Sequence, residues 1–131
     1  METILENTQV MYITSPNGPA GAAEAFKKLE DAINWQLKGR KFYGTMMGET
    51  GEYRANMNII EGDDAEKLGF KTWTIPGGKY YKEKIADWEK HVAEIAPKCN
   101  DIISKTNYDT TRPIIEFYRS QAELYLFIPI Q

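Results

Sequence analysis

Residues 112–131, RPIIEFYRSQAELYLFIPIQ, decide how this chain is read. Two apolar runs flank a short polar turn, the pattern of a β-hairpin. The runs are rich in β-branched and aromatic residues, which suit a pleated, half-buried surface. One residue breaks the pattern, because Glu116 stands between Ile115 and Phe117. Successive side chains on a strand point to opposite faces. Ile114, Glu116 and Tyr118 therefore share one face, and Ile115, Phe117 and Arg119 the other. Ile115 and Phe117 suit a helix-covered core, which assigns Glu116 and Tyr118 to a groove on the opposite face. A dry, ionised carboxylate is costly, so Glu116 there needs water, a hydrogen-bond partner or a cationic ligand. An edge or surface glutamate on a half-exposed strand explains the same pattern, and the residues alone leave both readings open.

Upstream, TQVMYIT (residues 8–14) reads as a strand, and SPNGPAG supplies a turn. A helix is expected from about Ala20 to Leu37, where Phe26, Leu29, Ile33 and Leu37 recur at helical spacing and Gly39 offers a stop. KFYGTMM and EYRANMNII form a second hairpin across GETG. FKTWTIPGGKYYKEKI reads as a strand with a bulge or bend at PGG, since proline removes a ladder donor and glycine relaxes the backbone. A second helix is expected from about Ile85 to Lys105, with Pro97 kinking it. Each half thus reads strand, helix, hairpin. Aligning the hairpins sets Tyr43 and Gly44 against Ile115 and Glu116, and Glu52 against Glu123. The expected fold is α+β: tandem β-α-β-β repeats with pseudo-twofold symmetry, an antiparallel sheet with two helices on one side, and a pocket between the halves.

No Pro/Gly/Ser linker divides the 131 residues, so 1–131 is expected to be a single domain. A formal net charge of −3 argues against direct nucleic-acid binding, which needs a concentrated basic surface. One cysteine, Cys99, excludes an intramolecular disulfide and fits a reducing compartment. No run approaches a membrane span, and METILENTQV lacks the features of a signal peptide. A cytoplasmic location and no membrane partner are the expectation.

Eight tyrosines and three tryptophans are many for 131 residues, and several fall in strands. An aromatic cavity holding one carboxylate captures lipophilic cations through ring faces and one opposite charge. The same rings also serve as cross-strand pairs and core filler. His91 has no second histidine or cysteine at ligand spacing, so no metal site is expected. Cys99 lies about 12 Å along the helix from His91, too far for a local dyad. It falls on the apolar stripe, the place of a buried, inert thiol. No nucleophile elbow, phosphate loop or calcium loop is present, and no cofactor is expected.

Taken in order, LKGRKFYGTMMGETGEYRANMNIIEG, WTIPGGKYYKEKI, the Trp-bearing helix, RPIIEFYRS and LYLFIPIQ resemble the GyrI-like effector-binding family. That family supplies the ligand-binding domains of AraC-type and MerR-type transcription regulators and also occurs as free-standing proteins. The resemblance spans nearly the whole chain, and its most specific pieces are IPGGKYY, EFY and the terminal IPI. It implies two β-α-β-β halves with an aromatic pocket between them and a small-molecule ligand, often a cationic aromatic one. It also implies that Glu116 is the ligand-contacting carboxylate, with Tyr118 two positions later and Tyr80 after the proline-glycine segment. Tyr43, Tyr53 and Trp73 join the candidate set from the strand pattern. The RSQAE turn looks short for the family, which implies a more open pocket mouth. No DNA-binding domain is expected within these residues, so a role in transcription is expected to need a partner. Free-standing relatives include hydrolases that open reactive cyclopropane rings, where Glu116 and Tyr118 would be the catalytic pair. Other relatives act on DNA gyrase, which makes a protein-interaction role the remaining alternative.

Overall fold

The computed structural model describes residues 1–120 and 122–131. Eight strands form one antiparallel sheet: β1 (Glu2–Leu5), β2 (Thr8–Ser15), β3 (Phe42–Met46), β4 (Tyr53–Asn58), β5 (Lys71–Ile75), β6 (Gly78–Ala86), β7 (Ile114–Tyr118) and β8 (Glu123–Pro129). Their order across the sheet is β1-β6-β8-β7-β3-β4-β2-β5. Three helices accompany it: α1 (Ala22–Ala32), the short α2 (Ala65–Leu68) and α3 (Val92–Lys105). Gln121, in the RSQAE turn, lies outside the described residues.

The sheet order forces a curl. β1 and β2 are joined by Glu6 and Asn7 alone, and β5 and β6 by Pro76 and Gly77 alone, yet each pair is split between opposite ends of the sheet. Links so short cannot span a flat eight-stranded sheet, whose strands lie about 4.8 Å apart. The two edges must approach, and the two links meet, with the Gly77 amide donating to Asn7 Oδ1 at 2.7 Å. PGG is thus a crossover between two strands rather than the expected bulge or bend within one. The inside of the curl is filled by Val10, Ile75, Tyr80, Ile115 and Phe127, drawn from strands at both ends. Asn56 is fully buried; its amide donates to Tyr43, Thr45 and Arg54 and accepts from Trp73, so its burial leaves no polar atom unmet.

The outer face carries the two long helices. α1 buries Ala25 and Leu29 on Met11, Ala55 and Met57, and fully burying a leucine is worth about 1.5–3 kcal/mol. α3 buries Cys99 and Ile102 on Ile114, Leu124, Leu126 and Ile128. Both helices are shorter than their periodicity suggests. α1 ends at Ala32 rather than Leu37 because Asn34 and Trp35 take left-handed φ values of 53° and 59°. α3 begins at Val92, since β6 pairs with β8 as far as Ala86 and a single tight turn holds Trp88–Lys90. Pro97 lies inside α3.

One face assignment is corrected. Ile115 and Phe117 lie inside the curl, not under the helices, whereas Ile114 packs against α3 and shares its face with Glu116 and Tyr118. Both faces of this sheet are apolar, so an apolar pair on β7 could not tell the helix side from the inside.

Candidate functional site

α1 rests on β2 and β4 and α3 on β8, so the two helices part over the central strands β3 and β7. The gap is a cavity of about 890 Å³. Its floor is Phe42, Met46, Tyr53, Ile114, Glu116 and Tyr118, and its walls include Phe26 from α1, Trp88 from the turn before α3, and Ile95, Cys99 and Ile103 from α3. Ala22, Ala23 and Ala96 line the helix sides, and their small side chains leave the volume open. Glu30, Glu89 and Glu116 are the charged lining residues, and no lysine, arginine or histidine stands among the described ones.

Glu116 is the polar centre. Tyr53 donates to its Oε1 at 2.6 Å and Tyr118 donates to the same oxygen at 3.0 Å. Among the described residues no hydrogen bond reaches Oε2. The two hydroxyls lie 3.5 Å apart. Tyr118 is held edge-on between Phe26, at 5.2 Å between ring centres, and Trp88, at 5.1 Å. The Trp88 indole N–H in turn donates to the Ser120 carbonyl at 3.0 Å. The phenols therefore have fixed positions, and the carboxyl is oriented from two sides.

The energetics are close to balanced. Burying an ionised carboxylate costs several kcal/mol even after relaxation. Two hydrogen bonds to a charged group return roughly 1.5–3 kcal/mol each. Burial wins: the Glu116 carboxyl is raised above its ordinary value, against the lowering pull of the Tyr53 and Tyr118 hydrogen bonds. Burial and the neighbouring carboxylate also push both phenols well above the usual tyrosine value, so they stay protonated donors. Burial, followed by Glu116, raises the Cys99 thiol to about 11.

Of the residues expected at the site, the cavity brings together Glu116, Tyr118 and Tyr53. Tyr43, Trp73 and Tyr80 lie on the inner face and do not line it. Tyr43 stacks on Phe117 at 5.1 Å, Trp73 donates to Asn56 at 2.7 Å, and the buried Tyr80 donates to the Pro76 carbonyl at 2.6 Å. Strand pattern proposes Tyr43, Tyr53 and Trp73 alike, and only Tyr53 lies on the helix-covered face; Tyr80, which the resemblance implies, lies with Tyr43 and Trp73 in the inner core. Phe26, Trp88 and Met46 line the cavity without having been singled out. Phe26 and Trp88 carried a signal, as large aromatics on helix stripes where aliphatic residues would pack as well. His91 is half-exposed and pairs with Glu94 one helical turn away. Among the described residues no group of three or more His, Cys, Asp or Glu side chains is placed to hold a metal ion. No helix among them is long and apolar enough to cross a membrane.

No family model matches the chain, and no curated protein matches it. Solved structures do. An integron cassette protein from the mobile metagenome of Vibrio cholerae superposes with a TM-score of 0.77 at 14% identity, over 100% of this chain and 95% of that one. SAV2435, in a structure with tetraphenylphosphonium bound, gives 0.69 at 12% identity, over 100% and 93%. A Staphylococcus aureus MU50 protein with a suggested role in transcription regulation gives 0.62 at 12% identity, over 100% and 97%. At such identities the likeness establishes the fold and nothing finer.

Proposed function

We propose that this chain is a small-molecule binding module of the GyrI-like effector-binding type, acting as one domain over residues 1–131. Its ligands are lipophilic cationic or planar aromatic compounds held in the cavity between α1 and α3. The observation that carries the reading is Glu116, a buried carboxyl oriented by two phenols at the floor of an aromatic cavity whose charged lining residues are all acidic. Lipophilic cations are drawn by ring faces and an opposite charge in one place. Tyr118, Tyr53, Phe26 and Trp88 are the walls in this account. Tyr43, Trp73 and Tyr80 have a supporting role, shaping the sheet from its inner face. A fold neighbour solved with tetraphenylphosphonium bound supports the ligand class.

The repeat reading is part of the proposal. Gly44 pairs with Glu116 and Tyr43 with Phe117. A twofold axis between β3 and β7 would give this register if the hairpins correspond as their sequences align. Regulation of transcription through a partner is the setting that the regulator-like fold neighbour favours.

The test is quenching of Trp88, which lines the cavity, by tetraphenylphosphonium. Saturable quenching that is lost in Trp88→Phe supports the site, and a flat titration rejects it. A second reading, hydrolysis of cyclopropane-type electrophiles, is favoured by the contact of Glu116 with two phenols, a base beside proton donors. It ranks lower because burial leaves both phenols weakly acidic. Turnover of such an electrophile above buffer, abolished by Glu116→Gln, would reverse the order.

A further inference from the structure

Gly44 occupies the middle of β3, a central strand, where glycine forfeits side-chain packing and weakens the element. Its backbone does not ask for glycine, since it is not among the residues of positive φ. The reason lies above it. A β-carbon on Gly44 would overlap the Tyr53 hydroxyl, and would come within 2.5 Å of Glu116 Oε1 and 2.7 Å of Tyr53 Cζ. All three are side-chain atoms. Gly44 pairs with Ala55 of β4 on one side and with Glu116 of β7 on the other. Tyr53, on β4, therefore reaches Glu116 only by lying across the bare backbone of β3.

We propose that Gly44 is the specificity-determining position of this pocket: by carrying no side chain it lets the Tyr53 phenol cross β3 and hold Glu116 Oε1, leaving the other carboxyl oxygen to the cavity for a cationic ligand. This rests on the cation-binding reading above. Gly44 touches no ligand in this account and acts as a positioning residue, through Tyr53. The groups facing Glu116 are Tyr53 from β4, Tyr118 from its own strand and the Cys99 thiol from α3. With one phenol displaced, the carboxylate keeps a single donor and loses its fixed orientation. Charge selectivity should fall while the apolar walls still bind.

The experiment compares tetraphenylphosphonium with tetraphenylborate, ions of like shape and opposite charge, on wild type, Gly44→Ala and Tyr53→Phe. The wild type is expected to prefer the phosphonium. Both variants should lose roughly tenfold of that preference, the effect of one hydrogen bond to a charged group. Tyr53→Phe removes only the phenol oxygen and keeps Gly44, so it decides the question if Gly44→Ala fails to fold. Wild-type preference retained in either folded variant overturns the proposal. The Glu116 titration, followed by carbon NMR of labelled glutamate carboxyls, should move to higher pH in both variants. If the wild type binds neither ion, the cation-binding reading falls. The positioning claim is then read from this titration, and an unmoved midpoint overturns it.

Discussion

The hydroxyl of Tyr53 donates to Glu116 Oε1 at 2.6 Å across the width of β3, joining residues 63 positions apart into one polar unit. Neither residue is marked by a motif that spans the two. The unit exists because the sheet order sets β4, β3 and β7 side by side and because the strand between carries glycine at the crossing point.

Glu116 should make stability depend on pH in a defined direction. Burial raises its carboxyl above the ordinary value of 4.5, so the folded protein keeps this proton to higher pH than the unfolded chain. The stability supplied by the neutral form is full below 4.5 and is lost as pH rises through the folded-state value. Glu116→Gln stays neutral throughout. Thermal unfolding across about pH 4 to 8 should show wild type losing ground to the variant over that interval. Parallel curves would contradict the account.

Arg40 and Asp63 make a two-pronged ion pair at 2.6 and 2.7 Å, and both side chains are less than a tenth exposed. Breaking a buried pair strands a charge, so Arg40→Met should cost about 3 kcal/mol in denaturant unfolding. The Arg40 hydrogen bonds hold the Asp63 carboxyl below its ordinary value. Its contribution is present above the unfolded-chain value and is lost as pH falls through the folded one. Wild type should therefore lose more stability on acidification than Arg40→Met does, and equal losses would refute the assignment.

Gly77 is a contrast to Gly44. A β-carbon there would overlap the Leu5 carbonyl oxygen and lie 2.7 Å from Glu6 C and 2.8 Å from Asn7 N, all backbone atoms at the meeting of the two crossover links. Side chains can swing aside and these links cannot, so Gly77→Ala should lower stability by about 2 kcal/mol or more. A variant as stable as wild type would show that the links are looser than described.

The Cys99 thiol lines the cavity, and its value of about 11 leaves little thiolate at neutral pH. Iodoacetamide should modify it roughly 100-fold more slowly than an exposed cysteine. Tetraphenylphosphonium in the cavity should slow the reaction further. Mass-spectrometric labelling rates check both, and labelling as fast as a free thiol would place Cys99 outside a closed wall.

Much of the architecture was legible. The runs at β2, β3, β4 and β7, and the α1 stripe through Phe26 and Leu29, follow from periods of two and of three to four residues. The β1 strand and the splitting of β5 from β6 were not, because strand pairing across the whole sheet leaves no local pattern. At the site, Glu116 and Tyr118 were legible as neighbours, since alternation fixes residues two apart on one face. Which face it was depended on the curl, which buries Ile115 on the inside as deeply as the helices bury Ile114, with Phe117 partly buried beside it. Tyr43 and Trp73 share the strand pattern of Tyr53 but face the inside of the curl, as does Tyr80. The role of Gly44 was beyond sequence, because it consists of atoms that three strands bring together.

The central claim is that Glu116 gives the cavity its preference for cations. Isothermal titration calorimetry of tetraphenylphosphonium into wild type and Glu116→Gln tests it most directly. The account predicts saturable binding to wild type and an affinity at least about tenfold weaker in the variant, the worth of one lost charge interaction. Equal affinity for the two proteins, or no binding heat with either at any pH where both are folded, would contradict it.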